Sequence, residues 1–101
     1  MNERQILSLL KTGAVLFHYP LKVHFQEGGG DFGVSVPKRL FKRAVKRNLL
    51  KRRVREAFRH NAERLGGRSY DIFVYYIGKQ VEEYERIDKS LAQVLDDLAA
   101  R

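Results

Sequence analysis

From Lys42 to Leu65 apolar residues return with a period near 3.6, and the polar positions as far as Arg59 are all lysine or arginine except Asn48 and Glu56. Projected at 100° per residue, Leu50, Val54, Ala57, Phe58 and Leu65 form one apolar arc, with Asn48, Lys51, Arg52, Arg55 and Arg59 in an arc beside it. Asn48, Arg52, Arg55 and Arg59 follow an i, i+4, i+7, i+11 progression, which keeps them on one line of the helix. Such a helix has to bury its apolar side against the rest of the chain while its cations stay in water. The fold must therefore build a basic helix into its own core.

The charge is concentrated in the same place. Between Lys38 and Arg59 lie eleven of the chain's 20 basic residues and one acid, Glu56, so the other residues carry nine bases and eleven acids and the formal charge of +8 originates here. Like charges one turn apart destabilise a helix by roughly 0.2–0.5 kcal/mol each, and almost no acid is interleaved, so an external anion is expected to absorb the repulsion. Within Arg47–Arg59 arginine outnumbers lysine, and its planar fork suits bidentate phosphate contact and base stacking. That favours nucleic acid over an anionic membrane, because a membrane helix would expose the apolar arc that is needed here for the core. Lys38, Arg39, Lys42, Arg43 and Lys46 join the arc as candidate nucleic-acid contacts.

At 101 residues the chain makes one domain, spanning 1–101, with 44% hydrophobic residues and eleven aromatics, a composition that folds. It has no cysteine, hence no disulfide or thiolate zinc site. No apolar run approaches the ~20 residues of a membrane span, and Met-Asn-Glu-Arg-Gln does not begin an export signal, so a cytoplasmic protein is expected.

In chain order, Ile6, Leu9 and Leu10 mark a first helix over 3–12 with Gly13 as its C-cap. Val15, Phe17 and Tyr19, then Leu21, Val23 and Phe25, alternate as two short strands or one strand bent at Pro20. Glu27-Gly-Gly-Gly-Asp31 reads as a hairpin turn. Phe32–Val36 is the next strand, ended by Pro37, and the basic helix follows from about Lys42 until Gly66 and Gly67 stop it. Tyr70–Ile77 is apolar on both faces, as a central strand covered on both sides would be. Ile87, Leu91, Val94, Leu95 and Leu98 place a closing helix over about 83–100. The order αβββαβα predicts an α/β fold with helices packed on one sheet and the basic helix as a crossover.

Little else carries chemistry. His18, His24 and His60 are scattered singly, no His-Glu pair has metal-ligand spacing, and no serine sits in a nucleophile motif. Gly28–Gly30 lacks the strand-loop-helix context of a phosphate loop. Neither a catalytic residue nor a metal ligand is assigned, and any reaction the protein serves is expected to draw its catalytic groups from a partner.

Val-Ser-Val-Pro-Lys-Arg at 34–39, the run Arg43–Arg59 and Tyr-Asp-Ile-Phe-Val-Tyr at 70–75 resemble the bacterial ribonuclease P protein family over nearly the whole chain. The resemblance implies an α+β sandwich like ribosomal protein S5 domain 2, with one mixed sheet and a left-handed β-α-β crossover, an exception to the usual hand. It implies a catalytic RNA partner in a 1:1 ribonucleoprotein, with Mg²⁺ held mainly by that RNA, hydrolysing precursor tRNA to make its mature 5′ end. Arg47, Asn48, Lys51, Arg52 and Arg55 match the family's RNA-contacting positions, with Lys46 and Arg59 as flanking phosphate contacts. Leu49 stands where the family's motif has a second arginine, leaving either one contact fewer or Arg53 as its substitute.

The family also holds the 5′ leader of its substrate as a single strand, in a cleft between the sheet, the first helix and the last helix. Stacking surfaces and cationic grooves do this without regard to sequence. Phe17, Lys22, His24 and Ser35 are the matching candidates, Phe17 having core packing as an equal alternative, and Ile6 and Leu10 replace aromatics of the first helix. A non-catalytic RNA-binding protein of ribosomal type is the second reading. A helix-reading DNA-binding protein fits less well, because the basic helix is integral to the core.

Overall fold

The computed structural model describes residues 1–101 as α1 (Glu3–Thr12), β1 (Ala14–His18), β2 (Leu21–Glu27), β3 (Phe32–Ser35), α2 (Ala44–Asn61), a 3-10 turn (Ala62–Leu65), β4 (Tyr70–Tyr76) and α3 (Tyr84–Ala99). The strands form one mixed sheet in the order β1-β2-β4-β3, antiparallel except for the β3–β4 pair. The parallel pair requires a crossover, and α2 supplies it.

Residues 27–31 do not form the expected hairpin. β2 and β3 are not paired, because β4 lies between them and bonds to both. Glycine-rich sequence marks where the chain reverses, yet it cannot specify which strand fills the gap. The loop is instead pinned from β4, where the Asp71 carboxylate accepts the backbone N–H groups of Gly30 and Asp31 at 3.1 and 2.9 Å.

The core lies between one sheet face and the pair α2/α3. Val23, Ile72, Val74 and Tyr76 from the strands meet Leu50, Val54 and Ala57 of α2 and Ile87, Leu91, Val94, Leu95 and Leu98 of α3, all fully buried. These helical residues are the expected apolar arcs, and Phe58 completes the arc of α2 by stacking on Phe32 of edge strand β3, ring centroids 4.1 Å apart. Each fully buried aliphatic side chain contributes about 1.5–3 kcal/mol, so the apolar arc holds α2 rigidly on the sheet.

Helix ends follow local chemistry. Asn2 caps α1 in a reciprocal box with Gln5. Helix α2 begins at Ala44, two residues later than the periodicity suggests, and tightens into the 3-10 turn before Gly66, whose φ of 62° is open to glycine without penalty. Tyr76 accepts the Glu82 N–H at its hydroxyl and donates to the Gln80 carbonyl; burial pushes its phenol up to about 12. It thereby fixes the link between β4 and α3.

Candidate RNA-binding faces

Helix α2 turns its polar arc outward. Lys46, Asn48, Arg52, Arg55 and Arg59 are exposed and Lys51 is half-buried. The chain's ion pairs are His18–Asp97, His60–Asp88 and Arg64–Asp96, so none of these cations is neutralised by a carboxylate of its own protein. The first turn of α2 has no acid, and Arg43 at the N-cap makes no capping bond. Cations crowded at the positive end of a helix dipole are unfavourable until an anion arrives. This surface is preset for phosphate.

Not every cation is free for that purpose. Arg47 donates from Nη1 to the carbonyls of Phe41 and Lys42, both at 2.8 Å, and so ties the loop before α2 to the helix. Arg53 donates to the Glu82 carbonyl at 2.6 Å, which turns it towards the β4–α3 link and away from the place of a substitute for Leu49. The helical projection leaves both outside the arc of Arg52 and Arg55, but it could not show which carbonyls come within their reach. Lys38, Arg39, Lys42 and Arg43 are exposed on the loop ahead of α2, not on its helical face.

The second surface is the sheet face turned away from α2 and α3. Strand register sets two rows across it, Val15–His24–Phe73–Gly33 and Phe17–Lys22–Tyr75–Ser35. All four candidates of the leader cleft thus share one face, and Phe17, Lys22 and Ser35 stand in a single row. Phe17 is 63% exposed, which excludes a core role. The Lys22 ammonium lies 5.7 Å from its ring centroid. Tyr75, which completes the row, was hidden in a strand whose residues are apolar on both faces.

A cavity of about 470 Å³ opens on this face, lined by Leu10, Lys22, His24, Arg39, Leu40 and Tyr75 among others. It is bounded by the sheet, α1 and the loop after Pro37; α3, expected as a wall, packs on the opposite face. The ring of His24 meets Tyr75 edge-on at 5.6 Å, and its Nδ1 is buried without a hydrogen-bond partner. Burial, reinforced by the charge of Lys22, holds the imidazole below its usual pKa, so His24 is neutral near pH 7. Arg39 links the surfaces, because it lines the cavity and belongs to the basic loop that enters α2.

The sequence model of the ribonuclease P family matches residues 1–99. The chain belongs to the ribonuclease P protein family. The ribonuclease P protein component of Thermotoga maritima is 40% identical over 89 residues, covering 85% of this chain and 74% of that protein. That of Porphyromonas gingivalis is 28% identical over 107 residues, covering 94% and 78%. Among solved structures, ribonuclease P protein from Thermotoga maritima superposes with a TM-score of 0.80 at 26% identity, over 96% of this chain and 94% of that one. The Staphylococcus aureus protein gives 0.79 at 25% identity, over 96% and 91%. The chain is thus a protein component of bacterial-type ribonuclease P, a subunit of a tRNA-processing ribonucleoprotein, and the mixed sheet with three helices is the architecture of that family.

Proposed function

We propose that this ribonuclease P protein holds two RNAs at once: the catalytic RNA subunit along α2 and the 5′ leader of precursor tRNA across the open sheet face. On α2, Lys46, Asn48, Lys51, Arg52, Arg55 and Arg59 neutralise phosphates of the catalytic RNA, with Lys38, Lys42 and Arg43 extending the contact along the loop. Arg47 holds that loop in place. On the sheet, Phe17 and Tyr75 supply stacking surfaces, Lys22 and Arg39 supply cations, and His24 and Ser35 line the path of a single strand.

Endonucleolytic removal of the leader is carried out by the RNA in a 1:1 complex, in the cytoplasm. Mg²⁺ is assigned mainly to the RNA, as the family resemblance implies. Bound there, the ion would supply an activated water and stabilisation of the leaving oxygen. The protein's part is to offset phosphate repulsion, favour the active RNA conformation and retain substrate. No helix is long and apolar enough to cross a membrane.

The observation that carries this reading is the position of Arg39, which makes the unpaired cationic surface continuous with the aromatic cavity. A protein that only packaged RNA would have no use for the second surface. The test is cleavage of precursor tRNA by the catalytic RNA at low Mg²⁺, with and without a leader, with and without the protein. Stimulation that is larger for the leader-bearing substrate is expected; no stimulation of either substrate would overturn the proposal.

A further inference from the structure

A further exposed ring lies past the end of β1, beside α3. One residue beyond β1, Tyr19 is 49% exposed, and the Arg86 guanidinium of α3 lies 5.2 Å from its ring centroid. Arg86 forms no ion pair with any carboxylate of the chain. Two aromatic rings two residues apart thus each carry an unpaired cation, Lys22 with Phe17 and Arg86 with Tyr19.

We propose that Tyr19 and Arg86 form a second platform for single-stranded RNA, which carries the leader past the cavity and over the rim of the sheet onto the start of α3. The inference rests on the leader-binding reading above and adds residues outside the cavity. A stacked base and its phosphate fit the pair, the ring taking the base and the guanidinium the charge. The platform is fixed from below, because the Ser90 hydroxyl of α3 donates to the Tyr19 carbonyl at 2.6 Å. Truncating the Tyr19 side chain leaves that anchor in place. The occupant favoured is RNA, because the patch pairs an exposed ring with an unpaired cation and lies two residues along the chain from Phe17; β1 is also an edge strand, so pairing with a second copy of the chain is the competing outcome.

The test uses the reconstituted ribonucleoprotein and precursor tRNAs whose leaders lengthen one nucleotide at a time. Wild type should gain affinity in two stages, as the cavity fills and again as the leader reaches the rim. Tyr19→Ala and Arg86→Gln should each abolish the second gain, by roughly fivefold or more for Tyr19→Ala, and leave short-leader affinity unchanged. Arg86→Gln should add little in a Tyr19→Ala background. Circular dichroism of both variants establishes that they fold, and Tyr19→Phe, which keeps the ring, should retain the second gain. A single-stage gain in wild type, or a second stage that survives both variants, overturns the platform while leaving the cavity reading intact. Absence of any leader dependence in wild type overturns the leader reading itself. Loss of a wild-type dimer in Tyr19→Ala on sedimentation, with the leader series unaltered, would assign the patch to self-association and overturn the platform.

Discussion

Replacing Arg52 and Arg55 together by alanine separates the cationic face from the fold that presents it. Both side chains are exposed and neither pairs with a carboxylate, so their loss breaks no ion pair within the protein. It relieves repulsion between Arg52 and Arg55 at i, i+3, and between Arg55 and both Lys51 and Arg59 at i, i+4, each worth roughly 0.2–0.5 kcal/mol. The unfolding midpoint should hold or rise. If each arginine neutralises one phosphate, the slope of log affinity for the catalytic RNA against log salt falls by roughly 0.7–0.9 per residue, about 1.4–1.8 for the pair. Over a fourfold range of salt the deficit of the variant should then shrink by about tenfold. Equilibrium titrations across such a range, with a thermal melt alongside, measure both quantities. An unchanged slope would show the arc to be solvated decoration, and a lowered melting point would show that these arginines serve the fold.

Three further outcomes are expected. Arg47→Ala removes two charge-assisted bonds to main-chain carbonyls, each worth roughly 1.5–3 kcal/mol, so unlike the Arg52/Arg55 pair it should lower the melting point along with affinity; a melt identical to wild type would contradict its tie to the loop. His24 is held below its ordinary pKa by burial first and by Lys22 second, so the unfolded chain takes up the proton more readily. Stability should be complete above about pH 6.5 and fall as the pH drops below it; His24→Phe should remove that slope in pH-dependent denaturant melts. For Asp88 burial opposes ionisation, but hydrogen bonds from His60, Asn61 and Tyr84 outweigh it and lower its pKa below 3.8. Its contribution to stability is therefore present above about pH 4 and lost as the pH falls through the folded value, and Asp88→Asn should flatten the acid limb of the same melts below pH 4.

Helices α2 and α3 were legible because periodicity is local: the residues that repeat are those that end up buried, from Leu50 and Val54 to Leu95 and Leu98. That β4 is a central strand was legible in its two apolar faces; that its neighbours are β2 and β3 was not, since this depends on partners 40 to 55 residues apart. The same distinction holds at the two RNA faces. Phe17, Lys22 and Ser35 could be proposed singly, but their common row exists only through the register with Tyr75. Likewise Arg47, Arg52 and Arg53 are equivalent as letters, and they diverge according to whether a carbonyl of residue 41, 42 or 82 lies near.

The central position of β4 has a consequence during synthesis. Until residues 70–76 have left the ribosome, β3 has no neighbour, β2 lacks one of its two, and the apolar arc of α2 has no complete surface to cover. Closing such a long-range pairing carries an entropic cost that the growing chain cannot meet early. A nascent fragment stopped short of β4 would therefore carry every arginine of the basic helix without the rigid platform that aims them.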